Sequence, residues 1–317
     1  MCAQVILITG GAGFIGSHIV DYLTCKGLYI KVLDNFSTGR LENIKQHLNK
    51  AGIEIINGDI KRMEDCLKAI ESVDTVFHFA ANPEVRVSST EPLIHFSENL
   101  IGTFNILEAM RKRDIKEIVF ASSSSVYGEP EKIPVDENAP IKPVSVYGAT
   151  KAACENLIYA YSKLYGIRAI VLRYANVIGP RLRHGVIYDF IVKLKRTQTK
   201  LEILGDGTQI RSYIYITDAV KATIMAWEKS YRTFEVFNVA SEDAITVKEV
   251  ADIVIKTMGL NNIRYIYKPV LHGVGWPGDV KRIVLDISKL KSLGFKPKYG
   301  SRESIKLTAK ALEQELR

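Results

Sequence analysis

No stretch of this chain approaches the roughly 18 consecutive apolar residues that a membrane-spanning helix needs, so no such helix is expected. The first residues carry no charged leader and no small-residue cleavage site, and the chain enters a strand pattern at once, which predicts a cytoplasmic protein. Cysteine is scarce. Cys2, Cys25, Cys66 and Cys154 show neither paired nor metal-type spacing, and no two histidines stand four apart around a glutamate. A metal site is therefore not expected. Internal repeats and low-complexity tracts are also missing.

A hydrophobic content of 47% over 317 residues supports a substantial core, in two domains or one large one. Lysine and arginine outnumber the acids 43 to 35, a surplus of +8 that would suit either nucleic acid or a doubly anionic nucleotide. The surplus is dispersed. Only Arg111-Lys112-Arg113 clusters, where a helix C-terminus favours cations for structural reasons. No nucleic-acid partner is expected.

Residues 4 to 9 read as a buried strand and residues 14 to 26 as a helix. Between them lies Gly10-Gly11-Ala12-Gly13-Phe14-Ile15-Gly16. Glycines let the backbone turn tightly and approach a pyrophosphate, and the free amides and positive dipole end of the following helix favour the anion. A second strand, Tyr29 to Leu33, ends in Asp34. A carboxylate there accepts hydrogen bonds from both ribose hydroxyls and repels a 2′-phosphate, which favours NAD over NADP.

Up to about residue 174, strand and helix alternate. Apolar runs at 53 to 57, 73 to 80, 116 to 121 and 167 to 173 are separated by helical stretches near 62 to 71, 94 to 113 and 147 to 165. This predicts an α/β fold, a doubly wound parallel sheet of Rossmann type, with ligands beyond the carboxyl ends of the strands. Pro130, Pro134, Pro140 and Pro143 oppose regular structure between Gly128 and Ser145 and predict an ordered loop near the cleft. After residue 177 the alternation becomes irregular, which predicts a smaller mixed α/β region, and the run Glu235 to Val239 is expected to return to the main sheet.

Tyr147 and Lys151 stand one helical turn apart, so both side chains leave one face. Such a pair also occurs on ordinary helix surfaces; next to a nucleotide loop it reads as a catalytic base and its activator. For a phenol of reference pKa about 10 to act as a base near neutrality, its anion needs about 4 kcal/mol of preferential stabilisation. One ammonium about 6 Å away at an effective dielectric near 20 gives roughly 3 kcal/mol. The charged nicotinamide ring of an oxidised cofactor is expected to supply the rest.

The runs TGGAGFIGSH, Asp34-Asn35 with Ser37-Thr38-Gly39, Gly58-Asp59-Ile60, HFAA, SSSSVYG, YGATK, RYANVIGPR, GDGTQIRSYIYITD and PGDVKR together resemble the extended short-chain dehydrogenase/reductase family. Within it they are most similar to the NAD-dependent nucleotide-sugar epimerases, in particular those acting on UDP-glucose and UDP-galactose. The resemblance spans Gly10 to about Arg282. It implies that Gly10, Gly13, Phe14, Ile15 and Gly16 hold the pyrophosphate of NAD, that Asp34 holds the ribose with Asn35, Ser37, Thr38 and Gly39 beside it, and that Asp59 and Ile60 meet the adenine. Phe79, Ala80, Ala81, Asn99 and Tyr174, with Tyr147 and Lys151, complete the implied cofactor wall. Counting four back from Tyr127 gives Ser123 as the implied partner of the reacting sugar hydroxyl, and a hydroxyl can indeed relay a proton to a phenolate. Asn176, Val186, Ile187, Arg211 and Asp279 are the implied substrate residues, with a planar guanidinium at Arg211 suited to fork two diphosphate oxygens.

By the same resemblance, residues 1–176 form the NAD-binding domain, to which a segment near 210–240 returns, and residues 177–317 form the nucleotide-sugar-binding domain. A homodimer through the helices at 94 to 113 and 147 to 165 is implied too. Related dehydratases carry an Asp-Glu pair after the catalytic hydroxyl, and a related decarboxylase type carries a glutamate at the second position. Here Ser124 and Ser125 stand in those places, and serine does not replace a carboxylic acid as a general acid. Inversion of a sugar 4-hydroxyl through a 4-keto intermediate is the remaining simple cycle that the resemblance implies. Trp276-Pro277 precedes Gly278-Asp279 where many relatives have an arginine, with Lys281 or Arg282 as candidate substitutes; Ile283 stands where pocket volume is tuned.

Overall fold

A computed structural model of the chain describes residues 4–48 and 50–316. Cys2 lies outside them. The first half builds β1 (Val5–Thr9), α1 (Phe14–Cys25), β2 (Tyr29–Asp34), β3 (Ile53–Asn57), α2 (Met63–Ala69) and β4 (Thr75–His78). Next come α3 (Pro92–Ile94), a π-helical turn over His95–Ile101, α4 (Gly102–Lys112), β5 (Glu117–Ser123), α5 (Val146–Tyr165) and β6 (Arg168–Tyr174). The expected strands and helices of this half are all present within a few residues. The π turn is an addition to them.

The main sheet has the order β11-β6-β5-β4-β1-β2-β3, where β11 is Phe234–Val239, and every strand pairs parallel to its neighbour. Parallel sheets are covered on both faces, so their strands are nearly continuous apolar runs. Thus Ile6, Leu7 and Ile8, or Ala169 to Leu172, are fully buried. Two hydrophobic clusters cover the two faces, one around Ile8, Ile19 and Val119 and the other around Leu7, Val76 and Phe120. This is the α/β doubly wound sheet. Its strand order places a crevice at the carboxyl ends of β1 and β4, where the connections diverge to opposite sides.

The second half supplies β7 (Asn176–Ile178), α6 (Gly185–Arg196), β8 (Lys200–Leu204), β9 (Ile210–Arg211), β10 (Tyr213–Tyr215) and α7 (Ile216–Lys229) before β11. After it come β12 (Ile245–Thr246), α8 (Val247–Thr257), β13 (Arg264–Lys268), β14 (Arg282–Ile283), α9 (Ser288–Ser292) and α10 (Ser301–Glu315). Short sheets β10-β7, β12-β9-β14 and β13-β8 share a third cluster with α6, α8 and α10. Local chemistry sets the helix ends. Thr246 and Glu249 form a reciprocal capping box on α8, and α5 begins where Ser145 Oγ accepts from the Gly148 amide at 3.1 Å and ends at Gly166 in the left-handed region, φ 67°.

Candidate active site

A cavity of about 510 Å³ runs along the carboxyl edge of the sheet between the two halves. One end is the glycine turn. Gly10 has φ 68°, and a side chain on it would strike the Ala80 backbone at 2.7 Å; one on Gly16 would lie 2.2 Å from the Gly10 carbonyl. The N-terminus of α1 has no side-chain cap and no acid in its first turn, so its free amides remain available to an anion. The cradle therefore fits a dinucleotide pyrophosphate. Beside it, Asp34 is buried and accepts the amides of Ala12 and Phe36, both at 2.9 Å, while burial raises its pKa. Asn35 links this corner to Asp59 at 3.1 Å and holds Ser37. Asn35, Ser37, Thr38, Gly39, Asp59, Ile60, Phe79, Ala80, Ala81 and Tyr174 all line the cavity.

Asn99 does not. It lies on the π turn, is 1% exposed, and its Oδ1 accepts from the Asn82 amide at 2.8 Å. The wider turn shifts the phase of the side chains that follow, and Asn99 braces the loop after Ala81 instead of facing the cleft.

In the middle of the cavity stand Ser123, Tyr147 and Lys151. Tyr147 shares a hydrogen bond with Ser123, and burial pushes its phenol up to about 12 against the lowering effect of that bond. Burial likewise lowers the Lys151 ammonium to about 8. The expected meeting of phenol and ammonium is not observed as a direct bond. Lys151 Nζ donates to the Ala121 carbonyl at 2.8 Å and lies 4.8 Å above the Phe120 ring, because a buried ammonium needs an acceptor that a neutral phenol supplies poorly. Ser123 Oγ accepts both the N–H of Ser125 at 3.2 Å and its O–H at 2.9 Å. With both lone pairs used, its single proton is free for Tyr147.

Directly behind lies a buried network that no local sequence pattern announces. Arg173 Nη2 and Nε reach Glu155 at 2.7 and 3.0 Å, Ser122 Oγ donates to the same carboxylate at 2.5 Å, and Arg173 Nη1 reaches Tyr127 Oη at 2.9 Å. Tyr127 donates to Asn238 Oδ1 at 2.7 Å. Thus β5, β6, α5 and β11 are tied together one residue from Ser123 and one helical turn from Lys151.

At the far end, Asn176, Val186, Ile187, Arg211 and Asp279 line the cavity. Arg211, suited to fork two diphosphate oxygens, is engaged within the protein. Its Nη2 donates to Asp279 at 2.9 Å and to the Val280 carbonyl, and its Nη1 donates to the carbonyls of Ile210 and Lys281. Lys281 is turned to Asp206 at 2.6 Å and is not a lining residue, nor is Arg282. Trp276 does line the cavity, on a tight turn closed by the Asp279 amide to the Trp276 carbonyl at 3.1 Å, with Gly278 at φ 87°.

Arg181, in the left-handed region at φ 70°, is a further wall residue that sequence reasoning missed. It joins the halves, donating to Ser17 Oγ at 3.1 Å and pairing with Asp21 of α1 at 2.8 Å, while its amide donates to Glu315 at 3.0 Å. Among the described residues, no group of three or more His, Cys, Asp or Glu side chains is placed to hold a metal, and no helix is long and apolar enough to cross a membrane.

Known proteins are similar to the chain in sequence and in fold. A putative UDP-glucose 4-epimerase of Methanocaldococcus jannaschii is 43% identical over 95% of this chain and 96% of its own length. A solved UDP-galactose 4-epimerase superposes with a TM-score of 0.88 at 46% identity, over 99% of this chain and all of the other. The UDP-glucose 4-epimerase of Thermus thermophilus, solved as a complex with NAD, gives a TM-score of 0.86 at 35% identity over 98% of this chain and 99% of its own. The profile of one family, described as the NAD dependent epimerase/dehydratase family, matches residues 6–240, and the chain belongs to that family.

Proposed function

We propose that the chain is an NAD-dependent UDP-sugar 4-epimerase, and that within this class it interconverts UDP-glucose and UDP-galactose. The observation that carries the reading is one continuous cavity with a phosphate cradle at one end and, at its centre, a Tyr147–Ser123 hydrogen bond, with the hydroxyls of Ser124 and Ser125 at the two positions that follow Ser123. When bound, NAD supplies a reversible acceptor for the hydride on the sugar's C4. The protein's own residues manage the proton. Tyr147 removes it from the 4-hydroxyl, Ser123 donates its one free proton to the phenolate, and Lys151 holds a positive charge in the same buried region. Ser124 and Ser125 offer no general acid for loss of water. Gripping the nucleotide around Asn176, Val186 and Ile187 leaves the hexose free to turn, so binding energy comes from parts remote from the reacting carbon.

In this reading residues 1–176 serve the cofactor and residues 177–317 the nucleotide sugar, with β11 returned to the cofactor side. The protein works as a homodimer. Support for that comes from Phe96, Phe104, Tyr159 and Leu164, exposed on the helices at 92–112 and 146–165. Light scattering is expected to give twice the 35.5 kDa of the chain; a monomer at micromolar concentration rejects the dimer. The test of function is conversion of UDP-galactose to UDP-glucose by the purified protein without added nicotinamide cofactor. Product is expected in both directions. A protein that retains NAD and converts neither sugar contradicts the proposal.

A further inference from the structure

Three consecutive residues at the end of β5 are each held by the same helix. Lys151 Nζ donates to the Ala121 carbonyl at 2.8 Å, Ser122 Oγ donates to the Glu155 carboxylate at 2.5 Å, and Ser123 shares a hydrogen bond with Tyr147. Tyr147, Lys151 and Glu155 stand four residues apart along α5, so they follow one another down one face of it. Tyr147, Lys151 and Ser123 already have parts in the proposed reaction, whereas Glu155 and Ser122 have none.

Glu155 is fixed in place from the other side. Its side chain is 5% exposed, and Arg173 of β6 forks it, with Nη2 at 2.7 Å from one oxygen and Nε at 3.0 Å from the other. The same guanidinium reaches past Ser123. Its Nη1 donates to Tyr127 Oη at 2.9 Å, and Tyr127 closes the short 3-10 turn Ser124–Tyr127 that follows β5. The segment that carries Ser123 is therefore held at both ends, at Ser122 by Glu155 and at Tyr127 by Arg173. Apolar packing would stabilise the fold as well as a buried ion pair does, so what this pair adds is direction.

We propose that Glu155 is a positioning residue for the reaction: held by Arg173 and acting through Ser122, it keeps Ser123 Oγ within hydrogen-bonding reach of the Tyr147 phenol. The inference rests on the proposed function, whose base and proton donor it holds together. Burial raises the phenol's pKa, and the Ser123 bond opposes this by donating to the anion. A loosened β5 end leaves the phenolate with a weaker donor, and misplacing a reacting group by about 1 Å costs roughly a hundredfold in rate. The nucleotide is gripped elsewhere in the cavity, so the loss falls on kcat and not on KM.

The test leaves Glu155 and Arg173 untouched, because removing either one leaves a buried charge unpaired. Ser122→Ala deletes the link to Glu155, and Tyr127→Phe deletes the links to Arg173 and Asn238; each removes a single oxygen. Both variants of the full-length, NAD-loaded protein are expected to lower kcat for UDP-galactose at least about tenfold at unchanged KM and NAD content. Ser122→Thr, which keeps the hydroxyl, is expected to recover most of the loss. With oxidised NAD bound, the Tyr147 phenolate, read as the absorbance difference from the same variant carrying Tyr147→Phe, is expected to titrate at higher pH in both variants than in the unaltered protein. Should one variant fail to fold, the other carries the test. A kcat within about threefold of the unaltered value overturns the inference; so does a lower rate with an unmoved phenolate, which a purely structural role would give. Because the titration needs no sugar, a protein that shows the shift but epimerises neither UDP-glucose nor UDP-galactose sinks the proposed function and leaves this inference standing.

Discussion

Replacing Tyr147 by phenylalanine is expected to lower kcat for UDP-galactose epimerisation about a thousandfold, within the range that a positioned general base contributes, with NAD retained. The ring stays in place against His95, and the backbone bond from the Tyr147 amide to Ser88 does not involve the phenol. What is lost is the oxygen that shares a proton with Ser123. A fall of less than about tenfold, measured by coupled assay on protein of matched NAD content, assigns the base elsewhere. The same geometry gives a pH expectation. Burial holds Lys151 at about 8, so as pH rises through that value its positive charge is lost. Support for the phenolate is then withdrawn and activity falls on the alkaline side.

The second large effect concerns stability. Arg173→Met is expected to destabilise the fold by about 3–5 kcal/mol, the usual cost of leaving one half of a buried ion pair alone. Arg173 and Glu155 are about 4% and 5% exposed at their side chains, and the carboxylate has few other donors once the guanidinium is gone. Tyr127 and the Glu137 carbonyl lose a donor at the same time. Removing both charges in Arg173→Met/Glu155→Leu is expected to recover much of the loss, since apolar packing replaces such pairs at little cost. Denaturant unfolding measures both variants. A single substitution costing under about 1 kcal/mol shows that the carboxylate finds water or another donor.

How legible this protein is in its sequence follows from the range of the forces involved. The glycine turn, Asp34 and the alternating elements of the first half are set by local pattern, by backbone reach at Gly10 and Gly16 and by apolar runs such as those of β1 and β6. They can be read directly. Arg211 reads only as a guanidinium suited to a diphosphate; its pairing with Asp279, 68 residues away, is announced by no local pattern. Asn99 shows a second kind of difficulty. The resemblance alone puts it on the cofactor wall, whereas it lies on the π turn over His95–Ile101 and its amide oxygen accepts from Asn82. The Glu155–Arg173–Tyr127–Asn238 network draws on four elements and becomes visible only once the sheet is assembled.

The central claim is electrostatic: a buried phenol, held near pKa 12 by its surroundings, becomes acidic when a pyridinium charge joins Lys151 beside it. Spectroscopic titration of the Tyr147 phenolate, taken as the difference between the native protein and Tyr147→Phe, tests this most directly when run with NAD in its oxidised and in its reduced form. An apparent pKa near neutrality with the oxidised form and a much higher one with the reduced form is the expected result. The same pKa in both forms contradicts the account.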